Sequence, residues 1–158
     1  MNYQFVASLL LTGFFVGGCA TSGSAPSASH SPKSDLKQKA TAWRGHHYWL
    51  SDCTLTWPEA AAFARNAGGH LVIIDSAEEN AFLTQRLDAD YTFIGIYRAG
   101  PAPLSPWITV KGEPIAYSNW LPGEGGNADQ HFGGIDRAGH WHDVFAHEAH
   151  EFFVEWDK

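Results

Sequence analysis

Two capping boxes standing close together do most to limit how this chain can fold. In Thr56-Trp57-Pro58-Glu59 a hydroxyl residue precedes a Glu by three positions, a pairing that satisfies free N–H groups in a first helical turn, and Pro58 falls where a missing N–H costs nothing. Ala60, Phe63, Ala64 and Ala67 follow at helical spacing, and Gly68-Gly69 supplies the left-handed stop. Ser76-Ala77-Glu78-Glu79 repeats the signal ahead of Phe82, Leu83 and Leu87, with only the short apolar run Leu71 to Ile74 between the helices. The chain beyond reads as strands: Thr92 to Tyr97, Trp107 to Val110, Gly133 to Ile135, His140 to Val144, and Phe152 to Trp156. Helices early and strands late predict an α+β domain with small antiparallel sheets. Stretches 98–106 and 118–130 are rich in Gly, Pro and Asn and read as long surface loops, where binding residues concentrate.

With 158 residues there is room for one core, and a net charge of -7 without clustered Lys and Arg excludes nucleic acid as a partner. Residues 1–18 carry no charge and contain an apolar run, Phe5 to Val16, that is too short to span a bilayer but suits a signal peptide. The run ends in Val16-Gly17-Gly18-Cys19, which resembles a bacterial lipobox. The resemblance implies a lipoprotein acylated at Cys19 with palmitate-type chains, and Ala20 at the following position favours the outer membrane, with the domain on either of its sides. Residues 19–42 read as a Ser-, Ala- and Pro-rich tether, leaving 43–158 as the folded domain. Cys53 then remains as a free thiol or forms a bridge to a second chain.

Six further stretches occur in one order. They are Thr56-Trp57-Pro58-Glu59-Ala60-Ala61, Gly68-Gly69-His70-Leu71-Val72-Ile73-Ile74, Glu79-Asn80-Ala81-Phe82-Leu83, Phe93-Ile94-Gly95-Ile96, Tyr117-Ser118-Asn119-Trp120-Leu121-Pro122-Gly123-Glu124, and Trp141-His142-Asp143. Together they resemble the C-type lectin-like domain family from about His46 to Trp156. The resemblance implies that family's α+β fold: two helices, small antiparallel sheets and a long loop region. It also implies a binding module rather than an enzyme, whose ligand is a glycan or a protein. The family's two disulfides have no counterpart, because their positions fall on Ala64, Val154, Phe132 and a residue near Ala146.

The family's calcium site is only partly matched. Glu124 stands at the first ligand place, Gly125 replaces a proline, Gly126 replaces the second ligand, Gln130 stands for a Glu, His142 for an Asn, and Asp143 is kept. Calcium takes six to eight oxygens, so this is a degenerate site unless Asn127 and Asp129 compensate through a shifted register. Candidate ligand-binding residues are therefore Glu124, Asn127, Gln130, His142 and Asp143, with Glu124, His142 and Asp143 as the metal-ligating subset. Three readings stay open: a module working without metal, a calcium-dependent lectin, and a zinc protein or hydrolase. The last would use His140 and His142, which share one face of a strand, beside His131 and Asp143. His147-Glu148-Ala149-His150 lacks the i, i+4 spacing of a zinc-protease helix and reads as solvated. Trp57, Trp107, Trp120, Trp141 and Phe132 read as core, while Tyr97 and Arg98 lead into the first loop and are expected on the ligand surface.

Overall fold

The computed structural model describes residues 32–100 and 105–157. The expected leader, Cys19, the first part of the expected tether and residues 101–104 of the first long loop lie outside them. Three helices and nine strands follow in the order α1 (Pro32–Lys39), β1 (Thr41–Trp43), β2 (His46–Leu50), β3 (Leu55–Thr56), α2 (Trp57–Asn66), β4 (His70–Leu71) and α3 (Ala77–Thr84). The remainder is strand: β5 (Tyr91–Arg98), β6 (Trp107–Thr109), β7 (Phe132–Asp136), β8 (Trp141–Val144) and β9 (Ala149–Trp156).

Both capping boxes start helices. The Glu59 carboxylate accepts from the Thr56 N–H at 3.0 Å and from the Thr56 hydroxyl at 2.6 Å, and these bonds hold its pKa below the ordinary value. Trp57, Ala60, Ala61 and Ala64 form the buried face of α2, and Gly68, at φ 81°, turns the chain out of it. Ser76 caps α3 by accepting from the Glu79 N–H.

Strand β9 organises the rest. It pairs antiparallel with β2, β3 and β4 and parallel with β5, while β5 carries β6 and β7, and β7 carries β8. Successive side chains of a strand face opposite ways, so Phe152 and Val154 join the core beneath α2 whereas Phe153 enters a second core with Val72, Leu83, Ile94 and Trp141. Burial on both faces explains why the Phe-Phe-Val run does not alternate with polar residues. Each of these fully buried side chains contributes about 1.5–3 kcal/mol.

The observed sheet is mixed, not purely antiparallel, because β5 and β9 run the same way. Helix α1 and the first two residues of β1 lie within residues 19–42, where a tether is expected. In α1, Leu36 packs on the α2 core, and this burial offsets the entropy of ordering the helix. Cys53 is disulfide-bonded, which corrects the expected free thiol, and Cys19, the chain's other cysteine, lies outside the described residues. At the expected cysteine positions, Ala64 and Val154 pack in one core, and the Phe132 ring stacks on Trp57 at 4.7 Å.

One carboxyl inside the second layer is poorly solvated. Glu79 is 3% exposed, accepts from the Tyr48 hydroxyl at 2.7 Å and from the Asp75 N–H at 3.0 Å, and burial pushes its pKa up to about 7. The folded chain therefore holds a proton there that the unfolded chain releases near 4.5, so this contribution to stability is complete below 4.5 and lost as pH rises through about 7. Glu79→Gln keeps a carbonyl for Asp75 and an amide for Tyr48. Thermal melts of the variant are expected to match wild type near pH 5 and to exceed it by on the order of 5 °C at pH 8. A difference independent of pH would contradict this account.

Candidate ligand-binding site

The site is laid on β8. Trp141 is fully buried, and its indole N–H donates to Asn80 Oδ1 at 2.8 Å. Its backbone receives the long loop: the Trp141 N–H donates to the Asn119 carbonyl at 2.8 Å, and the Leu121 N–H donates to the Trp141 carbonyl at 3.0 Å. These two bonds fix the start of loop 118–130 beside the next two residues of β8, His142 and Asp143.

Asp143 is 3% exposed, and its carboxylate is hydrogen-bonded by Asn127, Gly125 and Glu124, all in that loop. The Asn127 N–H reaches Oδ2 at 2.8 Å, and the Asn127 side-chain amide reaches Oδ1 at 2.7 Å. Burial opposes the charge on Asp143, but the hydrogen bond from Glu124 and the donors of Asn127 and Gly125 hold its pKa below the ordinary value. Glu124 is the opposite case: burial and the facing Asp143 carboxylate raise its pKa above the ordinary value. Arg98 completes the arrangement. Its guanidinium lies 3.6 Å from Asp143 Oδ2 and donates to the carbonyls of Asn127 and of Gln130, the latter at 2.7 Å. It also lies over the Trp107 ring, 4.7 Å from the centroid, while the Trp107 N–H donates to the Gly125 carbonyl at 2.9 Å.

Outside this buried layer is a shallow cleft of about 170 Å³ lined by Tyr91, Glu124, Gln130, His142, Asp143, Val144 and Glu148. His142 bridges its floor, with Nε2 at 3.0 Å from Asp136 Oδ2 and Nδ1 at 3.8 Å from Glu124 Oε2. Burial would raise Asp136, yet its bonds from His142, His140 and Ala138 lower its pKa. Tyr91 is 39% exposed and sets its ring edge-on to His142 at 5.0 Å.

Glu124, Gln130, His142 and Asp143 thus meet at one cleft, and Asn127 fastens the loop to Asp143 behind it. Asp129 is exposed, and Arg98 and Tyr97 are not where the sequence suggests. Arg98 is buried under the loop, because a guanidinium beside a buried carboxylate must stay with it, and Tyr97 packs on Trp57 at 5.4 Å. The zinc arrangement is not assembled either: His140 and His142 both turn to Asp136. Among the described residues, three metal-ligating atoms lie within 4.8 Å of one another only at His46, Glu155 and Asp157. Glu148 is no solvated bystander, since its carboxylate accepts from the Phe145 N–H at 3.1 Å and meets His150 Nε2 at 3.0 Å. Tyr91 and Glu148 were missed in the sequence. The available signal for Tyr91 was only its place one residue ahead of a recognisable strand.

The residues present do not fit a calcium ion as arranged. Calcium takes six to eight oxygens, whereas Gly126 offers no side chain, the Asn127 side chain turns its nitrogen to Asp143, and a guanidinium already supplies positive charge. Gly125 deepens the mismatch. Its φ of 80° is closed to the proline expected there, and a Cβ would stand 2.8 Å from the Trp120 ring.

A mixed sheet centred on its last strand, two helices packed on it and a long loop folded over β8 define a C-type lectin fold. Residues 53–152 match the Lectin C-type domain, and the chain belongs to that family. It is 31% identical over 124 residues to C-type lectin domain family 10 member A of Mus musculus, covering 73% of this chain and 40% of that protein. It is 30% identical over 122 residues to asialoglycoprotein receptor 1 of Rattus norvegicus, covering 72% of this chain and 42% of that one. The chain therefore spans less than half the length of these curated relatives. Among solved structures, the cow carbohydrate-recognition domain of CD23, determined in the presence of GlcNAc2Man3 oligosaccharide, superposes with a TM-score of 0.65 at 28% identity, covering 73% of this chain and 91% of that one. These relatives are lectins and receptors, and the chain is a binding domain, not an enzyme.

Removing Arg98 should test what holds the loop. Arg98→Met leaves the Asp143 carboxylate buried without its cation and is expected to cost about 3 kcal/mol in denaturant melts, with faster proteolysis between 118 and 130. A wild-type midpoint would show that the guanidinium is dispensable.

Proposed function

We propose that the domain binds carbohydrate in the cleft between Tyr91 and the long loop, and that it does so without calcium. The observation that carries this reading is the Arg98 guanidinium, bonded to two loop carbonyls beside the buried Asp143. That arrangement orders the loop by an internal cation. The chemistry of the cleft suits a polyol: Glu124, Gln130, His142 and Glu148 present donors and acceptors for hydroxyl groups, and the exposed Tyr91 ring offers an apolar face for a sugar's C–H side. Support also comes from the family, whose cow CD23 relative was solved with an oligosaccharide.

A glycan array probed with and without chelator tests both parts. Binding is expected to be insensitive to chelator and to weaken roughly 3- to 10-fold in Tyr91→Ala, as loss of an aromatic contact implies. A glycan signal abolished by chelator and restored by calcium would overturn the calcium-free reading. Absence of any glycan signal would turn the assignment towards a protein ligand.

We further propose that Cys19 carries lipid and holds the domain at a bacterial outer membrane. A sulfur in a thioether cannot also close a disulfide, and the chain has two cysteines. Lipid at Cys19 therefore requires that the disulfide at Cys53 join two chains and not close within one. Labelling with palmitate and a non-reducing gel should show a labelled dimer. An unlabelled monomer whose Cys19 and Cys53 are recovered in one cystine peptide would exclude both the anchor and the dimer.

A further inference from the structure

A second group of metal-ligating side chains lies at the far end of β9, away from the long loop, and the sheet register creates it. Glu155 pairs directly with Tyr48 of β2 on one side and with His70 of β4 on the other. Residues directly opposite in an antiparallel pair project to the same face, as do residues two apart along a strand. His46, two before Tyr48, and Asp157, two after Glu155, therefore join His70 and Glu155 on one face. The distances agree. His46 Nδ1 is 2.7 Å from Glu155 Oε1 and 3.6 Å from Asp157 Oδ1, and His70 Nε2 is 3.4 Å from the same Asp157 oxygen.

We propose that His46, Glu155 and Asp157, whose ligating atoms lie within 4.8 Å of one another, bind a zinc ion at the end of β9, and that His70, now near Asp157 alone at 3.4 Å, closes in as the fourth ligand and clamps β4 to the group. Zinc bonds of 2.0–2.2 Å in a tetrahedron set ligand atoms about 3.3–3.5 Å apart, close to the spacing of Asp157 Oδ1 from both imidazoles. The hydrogen bond between His46 and Glu155 is shorter than such an edge, and the metal would replace its proton.

The outer contacts already orient the ligands. His70 Nδ1 lies 2.9 Å from the Leu71 carbonyl, so that nitrogen carries the hydrogen and Nε2 presents its lone pair. Glu155 Oε2 accepts from the Ile73 N–H at 3.0 Å, and Asp157 Oδ2 is held by the Lys111 ammonium at 2.8 Å, leaving Oε1 and Oδ1 as the inner oxygens. Glu155 is 3% exposed, and a carboxylate this buried needs a cation or donors in place. Two imidazoles with two carboxylates suit zinc, whereas calcium, which prefers oxygen throughout, is poorly served.

The test uses the full chain purified without a His tag, stripped by chelator and titrated with zinc chloride by calorimetry and thermal melting. Expected are one zinc per chain and a rise in Tm. Asp157→Asn, an exposed position that leaves the metal-free fold intact, and His46→Gln should each weaken binding about tenfold or more. His142→Gln, in the other cleft, should leave zinc binding unchanged. No zinc-dependent stabilisation of the wild type, or full stabilisation retained in the doubly substituted His46→Gln, Asp157→Asn chain, would overturn the proposal, as would equal stabilisation by calcium through the same residues. Glycan binding by the zinc-stripped chain is a separate readout, so failure here leaves the cleft assignment standing.

Discussion

A carboxylate without solvent must be given donors, and Asp143 takes those of Asn127, Gly125 and Glu124 from the long loop. The loop has no regular secondary structure to hold it, so its shape follows from what this one group requires. Asn127 supplies two donors, Glu124 a side-chain hydrogen bond and Arg98 the neutralising charge. In return, Arg98 binds two loop carbonyls that would otherwise stand unpaired over the sheet. The interaction is reciprocal: the sheet buries the acid, the acid recruits the loop, and the loop covers the guanidinium. Such a network defines one loop conformation because any half of it alone would leave a buried charge.

That loop needs a rigid base, which comes from β9 and β5. Residues Phe152, Phe153 and Val154 feed alternate cores, and indole N–H groups tie the layers to the backbone, with Trp57 donating to the Ile94 carbonyl at 2.9 Å and Trp156 to the Ala67 carbonyl at 3.0 Å. At positions where the family carries cysteines, the chain buries Ala64 and Val154 in one core. A disulfide contributes a few kcal/mol, comparable to the burial of one or two large side chains, so aromatic packing of this extent can replace it.

Much of this was legible in the residues, and what was not has physical reasons. Helices α2 and α3 were marked by complete capping boxes, and the strands by their apolar runs, because those signals act within a few residues. The meeting of Glu124 with Asp143 came only from family resemblance, since no local rule links positions so far apart. Arg98 was misplaced because an arginine at a strand end is ordinarily solvated, and only the buried Asp143 across the sheet reverses that. Helix α1 was hidden for a similar reason: Leu36 earns its order from a core assembled by residues much later in the chain. The Glu155 cluster depends on three strands sharing one register, and His46, His70 and Asp157 are unremarkable when taken singly.

The position of β9 explains how one small domain can hold two polar centres without mutual interference. Glu148 stands just before its first residue and Asp157 just after its last, and the eight residues of strand between them separate their backbones by roughly 30 Å. That exceeds two Debye lengths at physiological ionic strength, so charge changes at one end are screened at the other. The intervening side chains include Phe152, Phe153 and Val154, buried in two separate cores. Coupling between sites requires an element with two states that both sites bias. With Phe152, Phe153 and Val154 fully buried between its ends, strand β9 acts as a close-packed spacer between the two centres.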